Sequence, residues 1–198
     1  MRSKVSEAGF TLIELLAVVG IVGIVAAMTV PSTARTLADL RLRGDARAVH
    51  NMVSLGKMRS AARFTRERVY VDLSTESFFL QYWDKATSAW ITEGGATTLS
   101  SGTDFGFGSV SSQPPNTQAA LQQAPPCLTN IGGTIGNTAC VVFNSRGIPI
   151  NTATGAPDGN TAFYLTDGET GVYAVTLSAT PLVRLWWTPA NQTAWIHK

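Results

Sequence analysis

GFTLIELLAVVGIVGIVAAMTVP, residues 9–31, is the stretch that decides the fold of this 198-residue chain. From Phe10 to Val30 its apolar run is broken only by Thr11, Glu14 and Thr29. As a helix rising 1.5 Å per residue, the 21 residues from Phe10 to Val30 would be about 32 Å long, which matches a hydrocarbon core of about 30 Å. The sequence therefore predicts a membrane-spanning helix over residues 10–31.

The polar residues 1–9 precede this run and include Arg2 and Lys4. Positive flanks stay in the cytoplasm, so residue 31 onward is expected on the outer side of the membrane. A cleaved signal peptide with a cut near Ala26 and Ala27 is the alternative. Glu14 argues against it, because a carboxylate deep in the bilayer costs on the order of 3 kcal/mol. A partner that compensates Glu14 is expected.

The string from Gly9 to Leu16, GFTLIELL, resembles the processing site of type IV pilins and pseudopilins. The resemblance implies that residues 1–9 are a leader, that a prepilin peptidase cuts between Gly9 and Phe10, and that Phe10 is then N-methylated. It also implies Glu14 and Pro31 as the acid and the proline of the family's N-terminal helix. The expected partners are other pilin or pseudopilin subunits, the prepilin peptidase and an inner-membrane assembly platform. The subunit would occupy the inner membrane first and a pilus or pseudopilus filament later.

Cleavage would also supply the partner for Glu14. The new α-amine of Phe10 would be mostly cationic at neutral pH, because such amines have a pKa near 8. It could pair with Glu14 within one helix or with Glu14 of a neighbouring subunit, and the second arrangement would set the register of a filament. Pro31 removes one helical hydrogen bond, which predicts a helix break at that residue.

Residues 32–66 predict an amphipathic basic stem helix that continues the span. Its apolar residues recur at spacings of three and four: Leu37, Leu40, Val49, Met52, Val53 and Leu55. Residues 33–68 hold nine basic and three acidic side chains, whereas residues 69–198 hold four basic and eight acidic ones. The basic face could be solvated, contact the acidic heads of neighbouring subunits, or bind a polyanion such as DNA or lipid headgroups. The charge asymmetry favours contact with neighbouring heads.

Residues 67–198 predict a β-rich head. Alternating apolar residues and turn signals indicate a hairpin around Ser74–Glu76, short strands near Trp90 and at Phe105–Val110, and an antiparallel meander after Ala139. A Pro-, Gly- and Ser-rich surface loop is expected at about 111–137. The predicted class is α+β, a long hydrophobic-then-amphipathic helix packed against an antiparallel sheet. The predicted fold is pilin-like. Together with a turn at residues 143–147 (FNSRG) and a late hairpin at residues 177–184 (LSATPLVR), it resembles the GspH/FimT class of minor pilins.

Cys127 and Cys140 are the only cysteines, and both are expected outside the cytoplasm, where thiols oxidise. A disulfide between them would close a loop of about 14 residues and contribute about 3 kcal/mol; two free thiols are the alternative. Many major pilins bracket the extreme C-terminal region with their disulfide, so this internal pair favours a minor subunit. Three tryptophans near the C-terminus could form an aromatic surface, with at least one of Trp186 and Trp187 in the core.

No constellation of residues predicts an enzyme, a cofactor or a metal site. The two histidines, His50 and His197, lie far apart in sequence, and His50 has no second His, Cys or carboxylate at metal-ligand spacing. Three functions remain. The first is a minor subunit of a type IV pilus that initiates or modulates the fibre for adhesion, twitching or DNA uptake. The second is a minor pseudopilin of a type II secretion system, and the third is a DNA- or surface-binding pilin module. The acidic balance of the head argues against the third.

Overall fold

A computed structural model of the chain describes residues 9–198, except for the side chains of residues 28–32. The chain divides into two units, one up to Leu37 and the other from Ala38 to Lys198. Its single long helix in the described residues, α1, runs from Leu12 to Arg63. Among the residues that the structure describes, no helix is both long and apolar enough to cross a membrane.

Two predictions about α1 need correction. The helix is continuous through Pro31, so the predicted interruption of the helix at this residue is absent. Proline withholds one backbone N–H, and the helical hydrogen bonds before and after it carry the helix onward. The stem helix ends at Arg63 instead of residue 66, because Phe64 adopts a left-handed backbone with φ of 52° that closes the last turn.

Ten strands follow α1 and form two five-stranded sheets. The first sheet has the order β3-β2-β1-β5-β6, and the second has the order β10-β9-β8-β7-β4. All pairings are antiparallel. The strands are β1 (Glu67–Asp72), β2 (Ser77–Asp84), β3 (Ala89–Thr98), β4 (Asp104–Phe105), β5 (Thr138–Phe143), β6 (Pro149–Ile150), β7 (Thr161–Thr166), β8 (Gly171–Leu177), β9 (Val183–Pro189) and β10 (Ile196–His197).

The α+β class is confirmed, but the single meander after Ala139 is wrong. β5 pairs with β1 in the first sheet, while β7 to β10 form a meander in the second. The predicted strand at Phe105–Val110 is reduced to β4. Beyond it the chain leaves the sheet, and Gly108 takes a left-handed φ of 53° with Thr166 so close that a Cβ would clash.

A stripe of small and branched residues joins α1 to the main core. Leu42, Ala46, Val49 and Val53 are fully buried and recur at spacings of four, three and four, so they share one face of the helix. Gly56 continues this stripe, where a Cβ would lie 3.1 Å from Leu80 Cδ2, so glycine permits close approach to β2. Each fully buried valine or leucine contributes about 1.5–3 kcal/mol.

The second sheet is buried on both faces. Alternate residues of β7 and β8 point to the main core, and the others, Tyr164 and Ala174 among them, enter a second cluster with Val110 and Trp186. The predicted surface loop supplies much of the cover. Gln118 Oε1 accepts a hydrogen bond from the Tyr164 hydroxyl at 2.7 Å, and the Gln123 side chain bonds both the N–H and the carbonyl of Tyr164. The loop is therefore part of the packing of the head.

Candidate functional site

The first turn of α1 lies directly after the predicted cleavage junction. Oγ1 of Thr11 accepts a hydrogen bond from the backbone N–H of Glu14 at 3.3 Å, and the Thr11 carbonyl oxygen accepts one from Leu15. Threonine followed three residues later by glutamate is the sequence of a capping box, which occupies the unpaired N–H groups at a helix start. The cap is built only from residues after Gly9, so removal of the leader would leave it intact.

The junction itself is open. Gly9 is exposed, a Cβ added to it would meet nothing within 4 Å, and the Phe10 side chain is 83% exposed. Apart from Gly9, the predicted leader lies outside the described residues. In the uncut chain the Phe10 nitrogen belongs to a peptide bond, and within the described residues Glu14 forms no ion pair. Cleavage, methylation and the Phe10–Glu14 pair therefore stay predictions.

The beginning of α1 carries large apolar side chains on every side. Each is more than half exposed, and they follow one another at almost every position: Leu12, Ile13, Leu15, Leu16, Val18, Val19, Ile21, Val22, Ile24 and Val25. Gly20 and Gly23 stand in open space, where they would allow another helix to approach closely. A helix that is apolar all round is stable only when it is covered on all sides. Glu14 is its one charged residue up to Ala27.

The predicted basic face of the stem is partly neutralised inside the chain. Arg59 and Arg63, in the last turns of α1, both form ion pairs with Glu93 of β3. Nε of Arg63 also lies 3.8 Å from a carboxylate oxygen of Glu67, which is fully buried. Burial raises the pKa of Glu67, and the nearby Arg63 and Arg59 act in the opposite direction. This end of the stem is therefore bound to its own head.

Arg68, counted in the sequence among the basic side chains of residues 33–68, is a buried residue of β1. Its neighbours Val69 and Val71 face α1 in the main core, so Arg68 alternates to the opposite, outer face of the first sheet. There its guanidinium donates to Gln81 Oε1 at 2.7 Å and lies 4.3 Å from the ring centroid of Trp90. Burial lowers the pKa of Arg68 to about 10, so it stays cationic at neutral pH.

The predicted disulfide between Cys127 and Cys140 is present. It anchors a small hairpin, residues 127–135, closed by the bridge between Leu128 and Thr134; we call this the disulfide hairpin. From β5 the hairpin crosses the outer face of the first sheet. Its tip reaches the far edge, where Asn130 Oδ1 accepts a hydrogen bond from the backbone N–H of Trp90 at 3.1 Å.

The C-terminal tryptophans are mostly packing residues. Trp186 is buried and donates from Nε1 to Thr176 Oγ1 at 3.0 Å, which confirms the prediction that one of the pair lies in the core. Trp195 donates to the Ser112 carbonyl oxygen at 2.9 Å and packs edge-on against Tyr164. These contacts account for two of the three indoles of the predicted aromatic surface. In the described part of the chain, no three His, Cys, Asp or Glu residues come together as a metal-ligand set.

Comparison with known proteins identifies a family motif at the N-terminus of the chain. Residues 4–30 match the family model described as the prokaryotic N-terminal methylation motif. This confirms the resemblance to type IV pilins and pseudopilins at the N-terminus. No curated protein matches the chain.

Two solved structures of the minor pseudopilin EpsH from the type II secretion system of Vibrio cholerae are similar to the chain. One has 15% sequence identity and a TM-score of 0.46, and covers 73% of this chain and 95% of its own. The other has 16% identity and a TM-score of 0.47, and covers 75% and 97%.

Proposed function

We propose that this chain, which carries the prokaryotic N-terminal methylation motif, is a structural subunit of a pilin-type filament. It would be made as a membrane-anchored precursor, cut by prepilin peptidase after Gly9 and methylated at Phe10. The N-terminal helix would then leave the membrane and enter the helical core of the filament, with the β-rich head outside it.

One observation carries this proposal. The helix after the junction exposes apolar side chains on every side, and its single acid, Glu14, lies four residues after Phe10. Such a surface needs complete cover, which a bilayer provides before assembly and a bundle of like helices provides afterwards. In either place an unpaired Glu14 would be costly. The Phe10 amine created by cleavage is the cation nearest in sequence that could pair with it.

The more specific proposal is a minor subunit of a type IV pilus that initiates or modulates the fibre. The disulfide supports it: Cys127–Cys140 fastens an internal hairpin across the first sheet and leaves the C-terminal strand unbracketed. A minor pseudopilin of a type II secretion system would use the same N-terminal chemistry. The cellular location of the mature chain separates the two.

Intact mass and N-terminal sequencing test both the filament-subunit proposal and the choice between a pilus and a type II secretion system. The protein is recovered from sheared surface filaments and, separately, from membranes. A chain that begins at N-methylated Phe10 in the sheared fraction supports the pilus subunit. The same mature chain confined to membranes supports the pseudopilin, and a chain cut near Ala27 would overturn the filament proposal.

A further inference from the structure

A basic cavity lies between α1 and the second sheet, within the unit from Ala38 to Lys198. Its volume is about 360 Å³, and the buried side chains of Tyr173 and Leu185 form the apolar part of its lining. The rest of the lining comes from α1 and the last residue of the chain: Arg43, Arg47, His50, Asn51 and Lys198.

The cations of this cavity are not neutralised within the described chain. No carboxylate side chain is among the lining residues, and neither Arg43, Arg47 nor Lys198 forms an ion pair with any described residue. Arg59 and Arg63, further along the same helix, both pair with Glu93. The arginines at the C-terminal end of α1 therefore have ion-pair partners within the described chain, whereas those around the cavity have none.

The acid that acts on the cavity from beside it is Asp39, one turn before Arg43. Burial raises the pKa of the Tyr173 hydroxyl, Asp39 raises it further, and Arg43 and Arg47 lower it. Asp39 and the α-carboxylate of Lys198 are two negative charges against three positive ones, those of Arg43, Arg47 and the Lys198 ammonium, so the cavity is positive without any contribution from His50. An anion from another molecule would neutralise this remaining positive charge.

We propose that this basic cavity receives a carboxylate-bearing loop from the head of a neighbouring filament subunit, an inference that rests on the proposed function. Two arginines one helical turn apart present the forked donors that suit carboxylates. The head of this chain is itself acidic, with eight acidic and four basic residues after Arg68, and a neighbour of like composition would complement the cavity. A long polyanion fits less well, because the cations converge on one cavity and the head as a whole carries a net negative charge.

Photo-crosslinking in assembled filaments tests the contact. Asn51, an exposed lining residue, is replaced by p-benzoylphenylalanine in the full chain, which is expressed in its own bacterium. Illumination should join the chain to another filament subunit, and mass spectrometry of the joined peptide should identify an acidic loop. Adding Arg47→Glu should lower the crosslink yield about tenfold, since like charges would then meet. Arg146→Glu, an equal charge change at an exposed residue outside the cavity, should leave the yield unchanged.

The outcomes separate this inference from the proposed function. A chain present in filaments that crosslinks to no subunit, crosslinks to lipid or nucleic acid, or crosslinks equally well with Arg47→Glu overturns the inference and leaves the filament function standing. A chain that, as wild type and in every variant, is neither cut after Gly9 nor incorporated into a pilus or pseudopilus overturns both. Restored crosslinking when the partner's acid is changed to lysine in the Arg47→Glu background would support the charge pairing directly.

Discussion

Nη1 of Arg68 lies 2.6 Å from the carbonyl oxygen of Leu128, and this hydrogen bond fastens the disulfide hairpin to the outer face of the first sheet. The disulfide holds the hairpin at β5, and Arg68 holds it over β1. Three successive ties, to Cys140, Arg68 and Trp90, therefore lie across the sheet. A loop rich in turn residues is thereby held in one position.

Replacing Arg68 with alanine should destabilise the head. Arg68 is 4% exposed, and the loss of its guanidinium would leave the Leu128 carbonyl and the Gln81 side chain without their charged donor. We expect a loss of about 3 kcal/mol in the free energy of unfolding, measured by urea denaturation of the full chain in detergent. Arg146→Ala, at an exposed loop position, should change stability by less than about 0.5 kcal/mol. Equal effects of the two substitutions would contradict the role given to Arg68.

Removing the disulfide should increase the mobility of the disulfide hairpin while the rest of the head stays folded. The paired substitution of Cys127 and Cys140 by serine should lower stability by about 3 kcal/mol, because the closed loop is released in the unfolded chain. Hydrogen exchange should speed up most at residues 128–134, with far less change in β7 and β8. Reduction of the wild-type disulfide provides the matched comparison. Uniform acceleration across both sheets would show that the hairpin is not a separate unit.

The stability of the head should respond to the charge on Glu67. Both of its carboxylate oxygens are buried and have no hydrogen-bond partner in the described structure. Because burial raises its pKa above the ordinary 4.5, its stabilising contribution is complete below that value and is lost as pH rises through the raised pKa. Glu67→Gln stays neutral, so its stability relative to wild type should increase between about pH 4 and pH 8.

Denaturation curves at both pH values measure this difference. Glu169→Gln, which removes the same charge from an exposed turn, is the matched control for the loss of a carboxylate. A Glu67→Gln variant that becomes less stable relative to wild type as pH rises would show that pairing with Arg63 outweighs burial.

Glu14→Ala should block incorporation into filaments while leaving the head folded. The substitution removes the acid expected to pair with the Phe10 amine, but Glu14 contributes only its backbone N–H to the cap on Thr11. Immunoblots of sheared filaments and membranes should find the variant only in membranes, with a normal unfolding curve. Thr11→Ala is the matched control, because it weakens the helix cap by about 1 kcal/mol and keeps the acid. Normal incorporation of Glu14→Ala would reject the pairing.

The elements that could be predicted are those whose pattern is local. The apolar run after Phe10, the period-two strands on either side of Ser74–Glu76 and the strand before Asn144 all follow from neighbouring side chains. Arg68 could not be assigned in this way. Its sequence context continues the basic stem, and only the alternation of β1 and the hairpin above it explain its burial.

The sequence by itself determined the N-terminal region, because a run of apolar residues, one acid and a glycine–phenylalanine junction specify their chemistry without distant partners. It also determined the α+β class, since helical and alternating periods are properties of short segments. The tertiary structure decided which sheet each strand joins, how the 111–137 loop covers Tyr164, and which stem arginines are paired. These outcomes depend on contacts between residues far apart in the chain, such as Arg63 with Glu93 and Arg68 with Leu128, and no local period encodes them.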